Sequence, residues 1–494
     1  MKIALVAPKW NKLVNSYPPL GLAYLAAVLE RAGHTVGVFD FGLTPHSELA
    51  DDVGRVAAFA PDLIGMTAMT NTWYSAVALA GALKSVVACP IVVGGPHATV
   101  FPERVAQEPA VSYVVVGEGE ETFLELVGLL ERSGMAPRPE ALGAVRGLCF
   151  MHGGALVKTA ERPLIADLDA LPFPARHLFD LWAYPLYTPD GQRMLTVLSS
   201  RGCPYNCSYC FKGIVGRTYR QRSPANIIAE LQSLIDTYGV RNFYFIDDLF
   251  TLDAKRLRAF AEQVIAARLD IRWQCLARVD RVTPDLLRLM HQAGCRQVHY
   301  GIESADQAIL DRIGKGITPA MVRRAVDATR AAGIRSKGYF MLGLPGDTEA
   351  TIRETIAFAA DLDLDDAMFS LTTPFPGTRL WDELVARHPE TAYDQDFSRA
   401  YYYSNYSEEI APFMNVSGIP DHRLSQLAQT ARRRVAEGKR LRKYQRVFGH
   451  LLGRLLWGIS RFKPLRLLGR AVLRLTRWGG SGRLSSEEQP TWTL

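Results

Sequence analysis

The chain has 494 residues, 48% of them apolar, and 57 Lys/Arg against 50 Asp/Glu give a net charge of +7. That is more chain than one core organises, so two or three domains are expected, and the apolar share excludes a disordered or fibrous protein. Seven cysteines, an odd number scattered except for one cluster, exclude a disulfide framework and point to a reducing cytoplasm.

The chain opens on Met1 to Ala7 followed by Pro8, a run too brief for a signal segment, which reads as a first strand. Further β-branched or apolar runs lie at 35–40, 62–67, 91–94 and 112–116, separated by helical periodicity as in Gly21 to Ala32 and Asn71 to Ala88. Such alternation predicts a doubly wound parallel sheet with helices on both faces over residues 1–135. Ligands of these sheets bind at the carboxyl ends of the strands. Here those ends carry Pro8, Asp40-Phe41-Gly42, Thr67-Ala68-Met69, Gly94-Gly95-Pro96-His97 and Gly117-Glu118-Gly119-Glu120.

Glycines at two of the ends allow backbone to approach a large ligand closely. Together with Pro18-Pro19-Leu20-Gly21-Leu22-Ala23, the Thr67-x-Met69 step and Gly94-Gly95, the stretch resembles a cobalamin-binding domain, Rossmann-like in fold. The resemblance implies that Thr67, Met69, Gly94, Gly95, Pro96, Gly117, Glu118 and Gly119 face the corrin. The Asp-x-His-x-x-Gly loop of some cobalamin domains is replaced by Asp40-Phe41-Gly42-Leu43-Thr44, so the cobalamin is expected base-off with no histidine on cobalt. His46 is out of register, and His97 is expected to be a hydrogen-bonding rim residue. The alternative is a nucleotide- or flavin-binding sheet, against which stands the lack of a G-x-G-x-x-G after the first strand or a P-loop.

Residues 136–190 read as an interdomain bridge, with a hairpin from Gly143 to Lys158 and an extended strap at Leu171 to Arg176. Arg176, His177 and Asp180 are expected to form interdomain salt bridges.

From Met194 the alternation resumes, with strand-like runs at 194–198, 242–247, 272–277, 297–302, 335–341 and 366–371. Six β/α units over 191–400 predict a partial TIM barrel, whose chemistry sits at the carboxyl ends of its strands. The first end carries Cys203, Cys207 and Cys210 at C-x3-C-x2-C spacing. A structural zinc site would want a fourth ligand, which the following residues do not supply. Three thiolates around a 4Fe–4S cube leave one iron open to a substrate or cosubstrate.

The cysteine spacing, with Phe211 after it, resembles the radical S-adenosylmethionine (SAM) superfamily, many members of which carry a cobalamin domain in front. The resemblance implies that SAM binds the open iron through its amino and carboxylate groups. It also implies that Asp247, in Phe245-Ile246-Asp247-Asp248, meets the amino group, although Asp253 and this pair are also candidate helix caps. Arg278 would pair with the SAM carboxylate, Glu303 and Ser304 would hold the ribose and methionine moieties, and the Gly343-Leu344-Pro345 turn, through Gly343 and Pro345, would lie beside adenine. Thr373 to Thr378 closes the sixth unit, where substrate or corrin could sit.

Most characterised cobalamin-dependent members are methyltransferases, so the resemblance implies methyl transfer to an unactivated carbon of a small-molecule substrate, with a flavodoxin or ferredoxin as electron donor. Two alternatives stay open: a non-methylating cyclase or ring-contracting enzyme, and a cobalamin or redox sensor with a structural cluster. A methylthiotransferase would want three N-terminal cysteines, and only Cys89 and Cys149 precede the loop.

Beyond residue 400 the alternation gives way to a helical region, 401–494. Between Arg432 and Arg477 fifteen Lys/Arg stand against the single acid Glu437. From Val447 to Trp478 these cations interleave with Leu, Ile, Phe and Trp, as in a peripheral helix on anionic membrane, which would suit a lipid or membrane-associated substrate. Two short helices joined at Lys463-Pro464 are expected there. The alternative is a basic helix packed on the acidic body. Nucleic acid is not expected, since no stacking aromatics lie on a sheet.

Overall fold

The computed structural model describes residues 1–10, 14–389, 396–400 and 411–460. The expected helical region at 401–410 and the expected joint at Lys463-Pro464 fall outside them. Two compact units divide at Ala431 and Arg432.

Among the described residues the first unit holds two large sheets and one two-stranded hairpin. Strands β1 (Lys2–Ala7), β2 (Thr35–Asp40), β3 (Leu63–Thr67), β4 (Ile91–Gly94) and β5 (Tyr113–Val115) pair in parallel in the order β2-β1-β3-β4-β5. One face buries Ala4, Val6, Ile64, Met66, Ile91 and Val93 against helical Val53, Val56, Leu79 and Leu83. On the other, a Cβ at Gly65 would sit 2.8 Å from the Phe123 ring, so glycine is what lets helix Glu120–Arg132 lie close to β3.

The strand order reverses between β1 and β3, which opens a crevice at their carboxyl ends. The hairpin expected in the bridge instead extends this sheet. Strands β6 (Leu148–His152) and β7 (Ala155–Lys158) add antiparallel to β5, because the edge of β5 offers unpaired backbone groups and Cys149 and Phe150 have an apolar face to bury.

The second sheet consists of β8 (Leu195–Val197), then, beyond the short hairpin β9 (Ser200–Arg201) and β10 (Arg220–Gln221), of β11 (Asn242–Phe245), β12 (Arg272–Ala277), β13 (Cys295–Glu303), β14 (Arg335–Leu342) and β15 (Asp366–Leu371). Its order β15-β14-β13-β12-β11-β8 is wholly parallel, each strand lying beside its predecessor, as an open barrel requires. Phe245, Phe250, Phe260 and Trp273 pack edge to face behind β11 and β12.

A buried ionic cluster joins bridge and barrel. Arg176 pairs with Glu230 at 2.6 Å and donates to the carbonyl of Thr196 at 2.7 Å, and Arg222 takes the other oxygen of Glu230. Two cations hold the Glu230 carboxyl below its usual range despite burial that pushes the other way. His177 meets Glu30 at 3.0 Å, as the sequence reading expects, while Asp180 departs from it by capping a local turn at the amide of Trp182.

At the end of the chain, helix Asp421–Phe448 breaks at Gly449, whose φ is +77°, and His450–Ser460 follows. Among the described residues no helix is long and apolar enough to cross a membrane.

Candidate active site where two rims meet

The cysteine loop is the 202–219 excursion of a hairpin whose stem is Ser200–Arg201 paired with Arg220–Gln221. Gly202 turns the chain at φ +84°, with the carbonyl of Thr218 only 2.3 Å from where a Cβ would stand. Within the loop, Lys212 donates to the carbonyl of Cys203 at 2.7 Å and also to that of Tyr205. The amide of Ser208 donates to the carbonyl of Ile313 at 2.9 Å, and the amide of Leu380 donates to that of Ser208 at 2.8 Å. Cys203 and Cys207 are half-buried and Cys210 is exposed, all three as free thiols. Among the described residues no three Cys, His, Asp or Glu surround one point closely enough for a single ion. A cube asks something different, since each thiolate binds its own iron, and the donor set fits it.

Asp247 lies at the root of this loop. Its Oδ1 accepts from the Ser199 amide at 3.0 Å and from the hydroxyls of Ser199 and Ser200 at 2.8 and 2.5 Å. Its Oδ2 is buried without a partner, and burial raises the carboxyl above its usual range against the pull of Arg256. Asp248 is exposed beside it. The helix cap is Asp253, which accepts from the amides of Lys255 and Arg256.

At the third strand end, Arg278 binds Asp280 at 2.9 Å and the carbonyl of Lys315 at 2.7 Å, and lies 3.6 Å over the Tyr205 ring of the cysteine loop. At the fourth, a register shift between Gly301 and Glu303 and a φ of +69° at Glu303 re-aim that carboxylate. Its Oε1 accepts from Lys315 at 2.8 Å and from the Tyr209 hydroxyl at 2.9 Å. Lys315 and Tyr209 escaped the sequence reading, although the position of Tyr209 between Cys207 and Cys210 was a usable signal.

Ser304 turns away from this cluster. Its hydroxyl is buried against Thr355 and accepts from the amide of Asp306, which itself caps the following helix through the amide of Ile309. Gly343, at φ +82°, and Leu344 both donate to Asp347, which fixes the turn carrying buried Pro345.

On the first sheet, Thr67 and Met69 stand at the crevice beside β1, Thr67 half-buried and Met69 46% exposed. A Cβ on Gly95, whose φ is +94°, would sit 2.8 Å from Thr67 Oγ1, so glycine keeps this shelf low beside Gly94 and Pro96. The Gly117 amide donates to Thr99, and Gly119 starts a helix. The Asp40 end departs from expectation and is closed: its carboxylate accepts from Asn15, the amide of Gly42 and the hydroxyl of Tyr184. His97 is not a hydrogen-bonding rim residue either. Its ring stacks on Trp73 at 4.7 Å, Nδ1 is buried without a partner, and burial lowers its pKa to about 4.

Glu118 also departs from the expected role. Rather than facing a ligand, it pairs with Arg201 at 2.8 Å and Arg220 at 2.7 Å, while Glu120 takes the other side of Arg201 at 2.6 Å. The two rims also meet where a Cβ on Gly377 would touch Phe211 at 2.7 Å and Val100 at 2.9 Å. A crevice lined by low backbone thus faces a three-thiolate loop.

Such a pairing is what an enzyme with cofactors on two domains requires. Residues 10–127 match the B12 binding domain and residues 197–359 match the radical SAM superfamily. A protein of Pyrococcus horikoshii described as an uncharacterised methyltransferase is 37% identical over 396 residues, covering 78% of this chain and 84% of its own. The anaerobic magnesium-protoporphyrin IX monomethyl ester cyclase of Cereibacter sphaeroides is 34% identical, covering 78% of this chain and 64% of its own. The solved radical SAM methyltransferase TsrM from Kitasatospora setae, with cobalamin and a 4Fe–4S cluster bound, shares the fold at a TM-score of 0.66 and 21% identity over 78% of each chain. The chain belongs to the radical SAM superfamily and carries a B12-binding domain ahead of its radical SAM domain. It is an enzyme whose cofactors are a 4Fe–4S cluster, SAM and cobalamin.

Proposed function

We propose that the enzyme transfers a methyl group to an unactivated carbon of a small-molecule substrate. The observation that carries this is the meeting of the two rims, through Glu118 with Arg201 and through Phe211, Gly377 and Val100, which sets a cobalamin crevice opposite the cysteine loop. The methyltransferase description of the relative at 37% identity supports it.

When bound, SAM and the cluster supply a 5′-deoxyadenosyl radical and cobalamin supplies the methyl group. The protein's own groups bind and orient. Cys203, Cys207 and Cys210 hold the cluster. The unpartnered Oδ2 of Asp247, or exposed Asp248, takes the SAM amino group. Arg278 offers its fixed cation to the SAM carboxylate, and Glu303, braced by Lys315 and Tyr209, takes the ribose hydroxyls. The turn at Gly343 and Pro345 borders adenine, and the side chain of Ser304 serves the fold around it. Thr67, Met69, Gly94, Gly95, Pro96, Gly117 and Gly119 line the corrin. A flavodoxin or ferredoxin would supply the electron. The basic, apolar stretch over 432–477 would hold the enzyme at an anionic membrane, which favours a lipid or membrane-embedded substrate.

Anaerobically reconstituted enzyme given SAM and reductant should form both S-adenosylhomocysteine and 5′-deoxyadenosine. Deoxyadenosine alone would overturn methylation in favour of the second reading, radical cyclisation or rearrangement, which the cyclase relative at 34% identity favours.

A further inference from the structure

The hairpin stem bracketing the cysteine loop ends in two arginines, Arg201 and Arg220, that are direct cross-strand partners. Every residue of the loop lies between them. Both guanidinium groups reach out of the barrel domain to one carboxylate, Glu118, held between Gly117 and Gly119 on the cobalamin rim. Oε1 takes Arg201 at 2.8 Å, and Oε2 takes Arg220 at 2.7 Å together with the amide of Ile165 at 2.9 Å. Glu120 gives Arg201 a second anchor, and these four side chains are at most 7% exposed.

We infer that Glu118 is a positioning residue that sets the separation between the cobalamin and the cluster, because one carboxylate of the corrin rim grips both arms of the stem from which the cluster loop hangs. General adhesion of bridge to barrel has its own device in the Arg176, Glu230 and Arg222 cluster. Glu118 acts where a shift would move one cofactor against the other. A misplacement of ~1 Å costs on the order of 100-fold in a reaction between held groups.

Glu118→Gln keeps the shape and removes the charge. Arg201 then retains Glu120, and Arg220 retains the carbonyls of Ile165 and Val215, so the fold has what it needs while the stem is loosened. In holoenzyme with iron and cobalamin content matching wild type, the dipolar interaction between Co(II) and the reduced cluster, read by pulsed electron paramagnetic resonance, should report a shifted or broadened distance distribution. Deoxyadenosine released per methylated product should rise by about tenfold or more. Glu120→Gln, which touches one arm, should do less on both measures. The product ratio rests on the methyl-transfer reading, whereas the dipolar distance needs only that both cofactors are bound, so the two can fail separately. An unchanged distance distribution in loaded Glu118→Gln overturns the inference. Should that variant not load its cofactors, Arg201→Lys carries the same test, since it keeps the charge but loses the rigid fork that holds Glu118 and Glu120 on separate nitrogens, and an unchanged distance there is equally fatal.

Discussion

Two histidines lie close enough in sequence to the corrin rim to compete for cobalt; the surroundings of His97 hold it away, and His46 stands out of register with the Asp40 loop. His46 is exposed on its loop, and His97 is clamped between Trp73 and Phe101 at ring separations of 4.7 and 5.2 Å. Swinging that ring outward would forfeit two aromatic contacts, each about 0.5–1.5 kcal/mol. Cobalamin should therefore bind base-off, and the Co(II) spectrum should lack nitrogen superhyperfine structure from a protein histidine. A nitrogen pattern that vanishes in His97→Phe or His46→Ala would reverse this. A loop was legible where one short motif carries it, as with Cys203, Cys207 and Cys210, whose close spacing around Gly202 and Pro204 places three thiols on one hairpin excursion. Glu118 was misread because Gly-Glu-Gly announces close backbone approach, while its partner Arg201 lies 83 residues on and only the fold brings them together. Ser304 departs from expectation for a related reason, since a hydroxyl after a strand end bonds the neighbouring backbone as readily as it meets a ligand.

Strand alternation exposed both parallel sheets because apolar runs and helical periods repeat at β/α spacing. The antiparallel addition of β6 and β7 broke that rhythm, and nothing local tells a hairpin which edge it will join. The stem β9 and β10 is shorter still, two residues on each side, and its existence depends on the turn at Gly202. Gly202→Ala would force a left-handed φ on a residue with a Cβ and press that carbon to 2.3 Å from the carbonyl of Thr218. The left-handed conformation alone costs about 1–2 kcal/mol, and the clash must be relieved by parting the stem. Iron and sulfide retained after anaerobic reconstitution should fall well below wild type. Gly239→Ala separates strain from placement, because Gly239 is also left-handed, at φ +68°, but has open space around it and caps a helix. That variant should melt earlier yet keep its cluster. A full cluster in Gly202→Ala would mean that the stem does not place the cysteines.

For the molecule as a whole, charge is distributed by unit. The fifteen cations between Arg432 and Arg477 fall in the second unit, and the rest of the chain carries 42 cations against 49 anions. The unit boundary cuts helix Asp421–Phe448: Leu424, Leu427, Ala428 and Ala431 are buried, and Leu424 lies 2.7 Å from where a Cβ on Gly343 would stand. Beyond the boundary the character changes, with Val447, Leu451, Leu452 and Leu455 at 66%, 83%, 51% and 61% exposure. Large apolar side chains interleaved with cations suit an anionic lipid surface, where each basic residue near the headgroups contributes about 1 kcal/mol. Four or five such contacts, with a few leucines inserted, would suffice for reversible attachment. Full-length protein should float with vesicles of high anionic lipid content, and less so as salt is raised, since screening acts on the charge and not on the leucines. A chain ending at Ala431 should stay at the bottom while keeping the buried contacts of Leu424. If the full-length protein ignores anionic vesicles at low salt, the cations serve another partner and the case for a lipid substrate falls with the membrane reading. If it floats equally well with neutral vesicles, insertion of the apolar residues dominates and the charge asymmetry has some other use.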